Sequence, residues 1–171
     1  SAGAGLGIQF LKHLSRTRLL LHLVDLSPMT ETSPVDSVTL LADELAAYSG
    51  GLARRDRWLV LTKADNVSQS EAEQIKATTI RRLEWEGPVF VISAVEHDGV
   101  DELCYAVMEY LTSSRSGEEV DERLAAREAE LRQEIQSDAH EHSVEFARAK
   151  QNRRHSNDDD DGEGVEVFYE R

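Results

Sequence analysis

The sequence predicts an α/β domain built on a parallel sheet. Three short apolar runs, Leu19–Leu26, Trp58–Leu61 and Pro88–Ala94, alternate with stretches of helical period. Each run ends in polar or small residues: Asp25, then Thr62-Lys63-Ala64-Asp65, then Ser93-Ala94. Strand–helix alternation favours parallel strands joined by right-handed crossovers, which bring all three carboxyl ends to one rim. Ligands of open α/β sheets bind outside that rim.

The elements follow in chain order. Residues 1–7 (S-A-G-A-G-L-G) read as a flexible connector, because the glycines follow no strand and form no phosphate loop. Ile8, Leu11 and Leu14 fall at helical spacing and predict a short amphipathic helix over 8–16. Leu19–Leu26 is the first buried strand, with His22 as a hydrogen-bonded core histidine and Asp25 at its carboxyl end, before the loop Ser27–Ser33. Ser33 and Pro34 start a helix that buries Val38, Leu41, Leu45 and Tyr48, with Gly50-Gly51 as its stop. Arg54, Arg55 and Arg57 read as a solvated approach to the second strand, although three arginines could meet phosphate.

Trp58–Leu61 suits a strand buried on both faces. A helix from about Ser68 has Ser70 and Glu73 available for a capping box, and Ile75, Ile80 and Leu83 face inward. Gly87-Pro88 breaks the chain before the third strand, whose turn Glu96–Gly99 leads into a helix burying Val100, Leu103, Val107, Tyr110 and Leu111. Past residue 113 the composition changes. Glu118–Lys150 predicts a long, mostly exposed helix or two, with Leu124, Leu131 and Ile135 at helical spacing. His140, His142 and His155 do not share a helix face as metal ligands would. Asn157–Gly164 reads as disordered on charge, and the closing V-E-V-F-Y-E-R as a strand-like docking peptide or an inert end. The domains are therefore 1–113 and a tail, 114–171. Opening on Ser1 and a small-residue run, the chain reads as the middle of something longer.

Composition narrows the partners. A net charge of −14 disfavours broad attraction to DNA or to anionic membrane. No apolar run approaches the roughly 20 residues that span a bilayer. The single cysteine, Cys104, excludes an internal disulfide and is consistent with a cytoplasmic, reducing location. We expect a monomer.

The chemistry concentrates on Trp58–Asp65. A carboxylate at the strand tip can accept two parallel N–H bonds from one edge of guanine. A lysine stem beside it can lie along the base while its ammonium ties down backbone. The alternative is a strand that ends in a solvated polar turn.

Taken together, G-A-G-L-G-I-Q-F-L-K-H-L-S-R-T-R (3–18), T-K-A-D (62–65), S-A (93–94) and the terminal G-V-E-V-F-Y-E-R resemble the Obg family of P-loop GTPases. That resemblance implies the carboxyl-terminal half of a Ras-like G domain, a three-layer parallel sheet, followed by a helical and acidic tail. It implies that Asp65 binds N1 and the exocyclic amine of guanine, that Lys63 covers the base and that the Ala94 N–H donates to O6. Ser93 would steady Asp65 or the loop. Thr62 stands where the family has asparagine, which puts its bonds to base N7 and to the phosphate loop in doubt. GTP or GDP would be the ligand. Mg²⁺, the phosphate loop and the switch residues would belong to positions upstream, so the chain by itself would not hydrolyse GTP. The intact bacterial protein would be a slow GTPase of large ribosomal subunit assembly. An EngB-like GTPase, which also carries T-K-x-D, and a non-catalytic ribosome- or protein-binding module are the alternatives.

Overall fold

The computed structural model describes residues 13–14, 16–27 and 32–158, the side chains of 150 and 152–158 excepted. Three strands, β1 (Leu20–Asp25), β2 (Arg57–Thr62) and β3 (Val89–Val91), form a parallel sheet in the order β1-β2-β3. Asp25 stands opposite Thr62, and Leu61 opposite Val91, so the three tips share one rim. Among the described residues five helices accompany them: α1 (Pro34–Tyr48), α2 (Gly50–Ala53), α3 (Gln69–Leu83), α4 (Val100–Val120) and α5 (Glu122–Asp158).

The helices cover the sheet on both faces, as the alternation predicts. On one face α1 and α3 enclose Val24, Leu26, Val38, Leu59, Leu61 and Ala72. On the other, α4 closes over Trp58, Val60, Ile92 and Leu103. Trp58 stacks on Phe90 with ring centroids 5.5 Å apart and meets the edge of Tyr110 at 5.4 Å. β2 is thus the central strand, with Leu59, Val60 and Leu61 fully buried. Burying such side chains contributes about 1.5–3 kcal/mol each, which fixes where its tip points.

Several local expectations change. Among the described residues β1 is buried on one face only. Leu20, His22 and Val24 point inward while Leu21 and Leu23 stay exposed. β3 is a half-buried edge strand rather than a buried one, and regular pairing stops at Val91. Ser33 does cap α1, accepting from the Asp36 N–H at 3.2 Å, but Gly50-Gly51 does not end the helix. Ser49 ends it and at once caps α2, accepting from Leu52 N–H at 3.3 Å. The capping box of α3 is formed by Ser68 and Glu71, two residues earlier than Ser70 and Glu73.

The carboxyl-terminal helix departs most from expectation. α4 runs unbroken through residue 113, Asp121 interrupts it, and α5 then folds back onto the domain. Ile135 and Ala139 are buried, and Ile135 packs with Leu20, Leu45 and Leu52 beside Leu14. The backbone of α2 approaches so closely that a Cβ on Gly51 would lie 2.5 Å from Ile135 Cγ1. Arg54 pairs with Glu134, and Arg55, almost wholly buried, pairs with Glu128 at 2.6 Å. Arg57 lies over the Trp85 ring. Arg55 is therefore buried against α5 rather than solvated, Arg57 is half-buried, and Arg54 stays exposed while it pairs across to α5. His142 stacks on Tyr48, with Nε2 2.9 Å from the Tyr48 carbonyl. Asn157 and Asp158 are helical. The readings of 1–12 and of the terminal V-E-V-F-Y-E-R lie outside the described residues.

Candidate guanine-base site

The tip of β2 turns sharply. Lys63 takes a left-handed conformation (φ 60, ψ 40), uncommon for a residue with a Cβ, and Ala64–Asn66 follow as a single 3-10 turn. The turn is pinned to β3, since the Ala64 N–H donates to the Ile92 carbonyl at 3.1 Å. It is tied to β1 as well, because Leu26 N–H donates to the Thr62 carbonyl at 2.9 Å. Both neighbours of the central strand therefore hold the turn that presents Asp65.

Asp65 is exposed at the rim and is oriented from below. Buried Ser93 donates from Oγ to Asp65 Oδ1 at 2.6 Å and accepts the Glu96 N–H at 3.1 Å. Ser93 is itself placed by its own N–H, which bonds the Asp98 carbonyl at 3.0 Å. The tight return at Gly99 makes this possible. Its φ is +69, and a Cβ there would sit 2.4 Å from the Val91 carbonyl. Oδ2 of Asp65 has no partner among the described residues. The carboxylate is held on one side and open on the other, as a group that accepts N–H bonds from a ligand requires.

The remaining expected residues fall where the sequence puts them, with one difference. Ala94 follows Ser93 in an exposed turn. Lys63 is exposed, and its Nζ bonds Asp25 Oδ2 at 2.6 Å. Thr62 turns away from the rim. Its Oγ1 donates to the Val24 carbonyl at 3.1 Å, so its single O–H proton is already committed. Asp25 and Val24 were not among the expected site residues. The signal for them is the strand register, which sets Asp25 directly beside Thr62.

An open groove of about 630 Å³ runs from Asp65 and Ser93 along the free edge of β3, between α3 and the start of α4. Asp65, Glu73, Glu96, Asp98 and Glu102 line it against one cation, Lys76. A nucleotide phosphate is repelled there, so phosphates of a bound nucleotide must leave the rim in another direction. A smaller cavity of about 170 Å³ lies at the amino-terminal end of β2, far from this rim. It is walled by Arg18, Arg54, Arg55, Glu118 and Glu128, with Arg18 paired to Glu118 and Arg55 to Glu128, and it serves the docking of α5. Among the described residues no three His, Cys, Asp or Glu side chains converge as a metal site. No described helix is long and apolar enough to cross a membrane.

A parallel sheet covered by helices, whose adjacent tips carry T-K-A-D and a buried serine bonded to its aspartate, is consistent with part of a P-loop GTPase domain. The family model described as "Methylmalonyl Co-A mutase-associated GTPase MeaB" matches residues 24–149. The chain belongs to this family. The GTPase class implied by the sequence resemblance is therefore established, while the family matched is MeaB and not Obg.

Proposed function

We propose that this chain supplies guanine recognition to a GTP-binding, GTP-hydrolysing protein. The Ser93–Asp65 bond carries the reading: a buried hydroxyl spends its proton on holding an exposed carboxylate at the rim where guanine motifs meet. Asp65 accepts from N1 and the exocyclic amine, the Lys63 stem covers one face, and the Ala94 N–H meets O6. The 171 residues contain no G-x-x-x-x-G-K-[ST], so phosphate positioning and Mg²⁺ binding fall to other residues of the intact GTPase. Base recognition without a phosphate cradle supplies neither positioning nor charge stabilisation. GTP turnover by the purified chain would refute this division.

The direct test is Asp65→Asn. An amide offers one acceptor and one donor side, matching the C2 carbonyl of xanthine rather than the amine of guanine. The variant should lose its preference for guanosine over adenosine and gain one for xanthosine. Unchanged guanosine preference sinks the assignment.

For the cellular role, an Obg-type GTPase of large ribosomal subunit assembly is the reading that residues 3–18 and the closing G-V-E-V-F-Y-E-R support, and both lie beyond the matched span. The matched family's description favours a second reading, association with methylmalonyl-CoA mutase. Co-sedimentation of the intact protein with large ribosomal subunits in GTP and GDP, alongside a mutase binding assay, separates them. Deleting 157–171 should weaken the ribosomal interaction and spare hydrolysis.

A further inference from the structure

We propose that Asp25, at the tip of β1 and outside every guanine motif, is the positioning residue for Lys63. This rests on the guanine reading above. The lysine is held at both ends. At its backbone the left-handed turn and the Ala64–Ile92 bond aim the side chain back toward β1. At its head Nζ bonds Asp25 Oδ2 at 2.6 Å. Asp25 is oriented in turn, because its Oδ1 accepts the Ser27 N–H at 2.7 Å. The strands beneath fix the pair, since Asp25 and Thr62 are register partners and Thr62 Oγ1 bonds the neighbouring Val24 carbonyl.

The geometry has a consequence for binding. Adjacent strands lie about 4.8 Å apart, so a lysine bridging two tips stretches its four-carbon stem across the rim. An extended apolar stem is a floor for the face of a purine. A free lysine would lose rotamer freedom when the base arrived, whereas one already latched to Asp25 has lost it beforehand. Asp25 touches no part of the base. It acts through the lysine by removing an ordering cost from binding, so its effect falls on affinity for the base whatever phosphates follow.

Asp25→Asn tests this role, because asparagine keeps an oxygen for the Ser27 N–H and removes the charge that holds Nζ. The probes are guanosine and adenosine, titrated by NMR into the full 171-residue chain. Guanosine affinity should fall about three- to fivefold, the range of a partly exposed ion pair. In a Lys63→Met background, which keeps the stem and lacks the ammonium, Asp25→Asn should change affinity less than about twofold. Carbon relaxation at Lys63 Cε should report an ordered side chain in the wild type and a mobile one in Asp25→Asn. An unchanged affinity in Asp25→Asn overturns the proposal and leaves guanine reading intact, as does an equal loss in both backgrounds. A wild-type chain that binds guanosine and adenosine alike overturns both.

Discussion

Replacing Thr62 with asparagine would restore the residue that N-K-x-D motifs carry, and the structure says what that changes. The Thr62 hydroxyl donates to the Val24 carbonyl at 3.1 Å, so nothing at this position reads guanine N7, an acceptor. The wild-type chain should therefore bind guanosine and 7-deazaguanosine equally. An asparagine amide is longer and has two N–H groups, so it can reach the base. One neutral hydrogen bond contributes about 0.5–1.5 kcal/mol net, which is a preference of about 2- to 12-fold for guanosine over its 7-deaza analogue. The substitution also has a cost. It removes the β1–β2 tie to Val24 and a strand-favouring residue, together about 1–2 kcal/mol, or a fall in Tm of roughly 2–8 °C. Parallel NMR titrations with the two nucleosides, each with a melting curve, give both quantities. A wild-type chain that already binds 7-deazaguanosine threefold more weakly refutes the reasoning, since Thr62 would then be in contact with N7.

Three further outcomes follow from single contacts. Ser93→Ala removes the 2.6 Å bond to Asp65 and leaves the Glu96 N–H without its acceptor, so about 1–3 kcal/mol of stability should go, measurable by urea unfolding, and guanosine affinity should fall with it. Gly51→Ala should destabilise despite a helix-propensity gain of about 1 kcal/mol, because the new Cβ meets Ile135 Cγ1; pairing it with Ile135→Ala should cost less than the sum of the two, and simple additivity would argue against the contact. His22, buried and near Arg57, has its pKa lowered to about 4, burial being the main cause. The native state therefore keeps it neutral while the unfolded chain protonates near 6.5, so its contribution is intact above pH 6.5 and is lost as pH falls toward 4, by about 3 kcal/mol at most. In His22→Leu, stability between pH 6.5 and 5 should fall less steeply than in the wild type.

Much of the site was legible because it rests on a strand whose burial is unambiguous. Trp58–Leu61 has no exposed face, so its position fixes Asp65 at the rim, and the third strand brings Ser93 beneath it. Asp25 escaped because an aspartate at a strand end is equally good turn chemistry, and only register puts it beside Lys63. The docking of α5 was hidden for a different reason. The buried residues of that helix, Ile135 and Ala139, are too few to give a clear apolar stripe, and Gly51 read as a helix stop while its missing Cβ makes room for Ile135. Similarly, Leu19–Leu26 looks buried throughout by composition, yet Leu21 and Leu23 are exposed among the described residues. Burial of that kind depends on neighbours that no local window contains.

Among the described residues β1 pairs on one side only, and Leu21 and Leu23 stand exposed beside that edge. Such an edge is a template for whatever extended chain reaches it first, its own kind included. In isolation the chain should self-associate as its concentration rises.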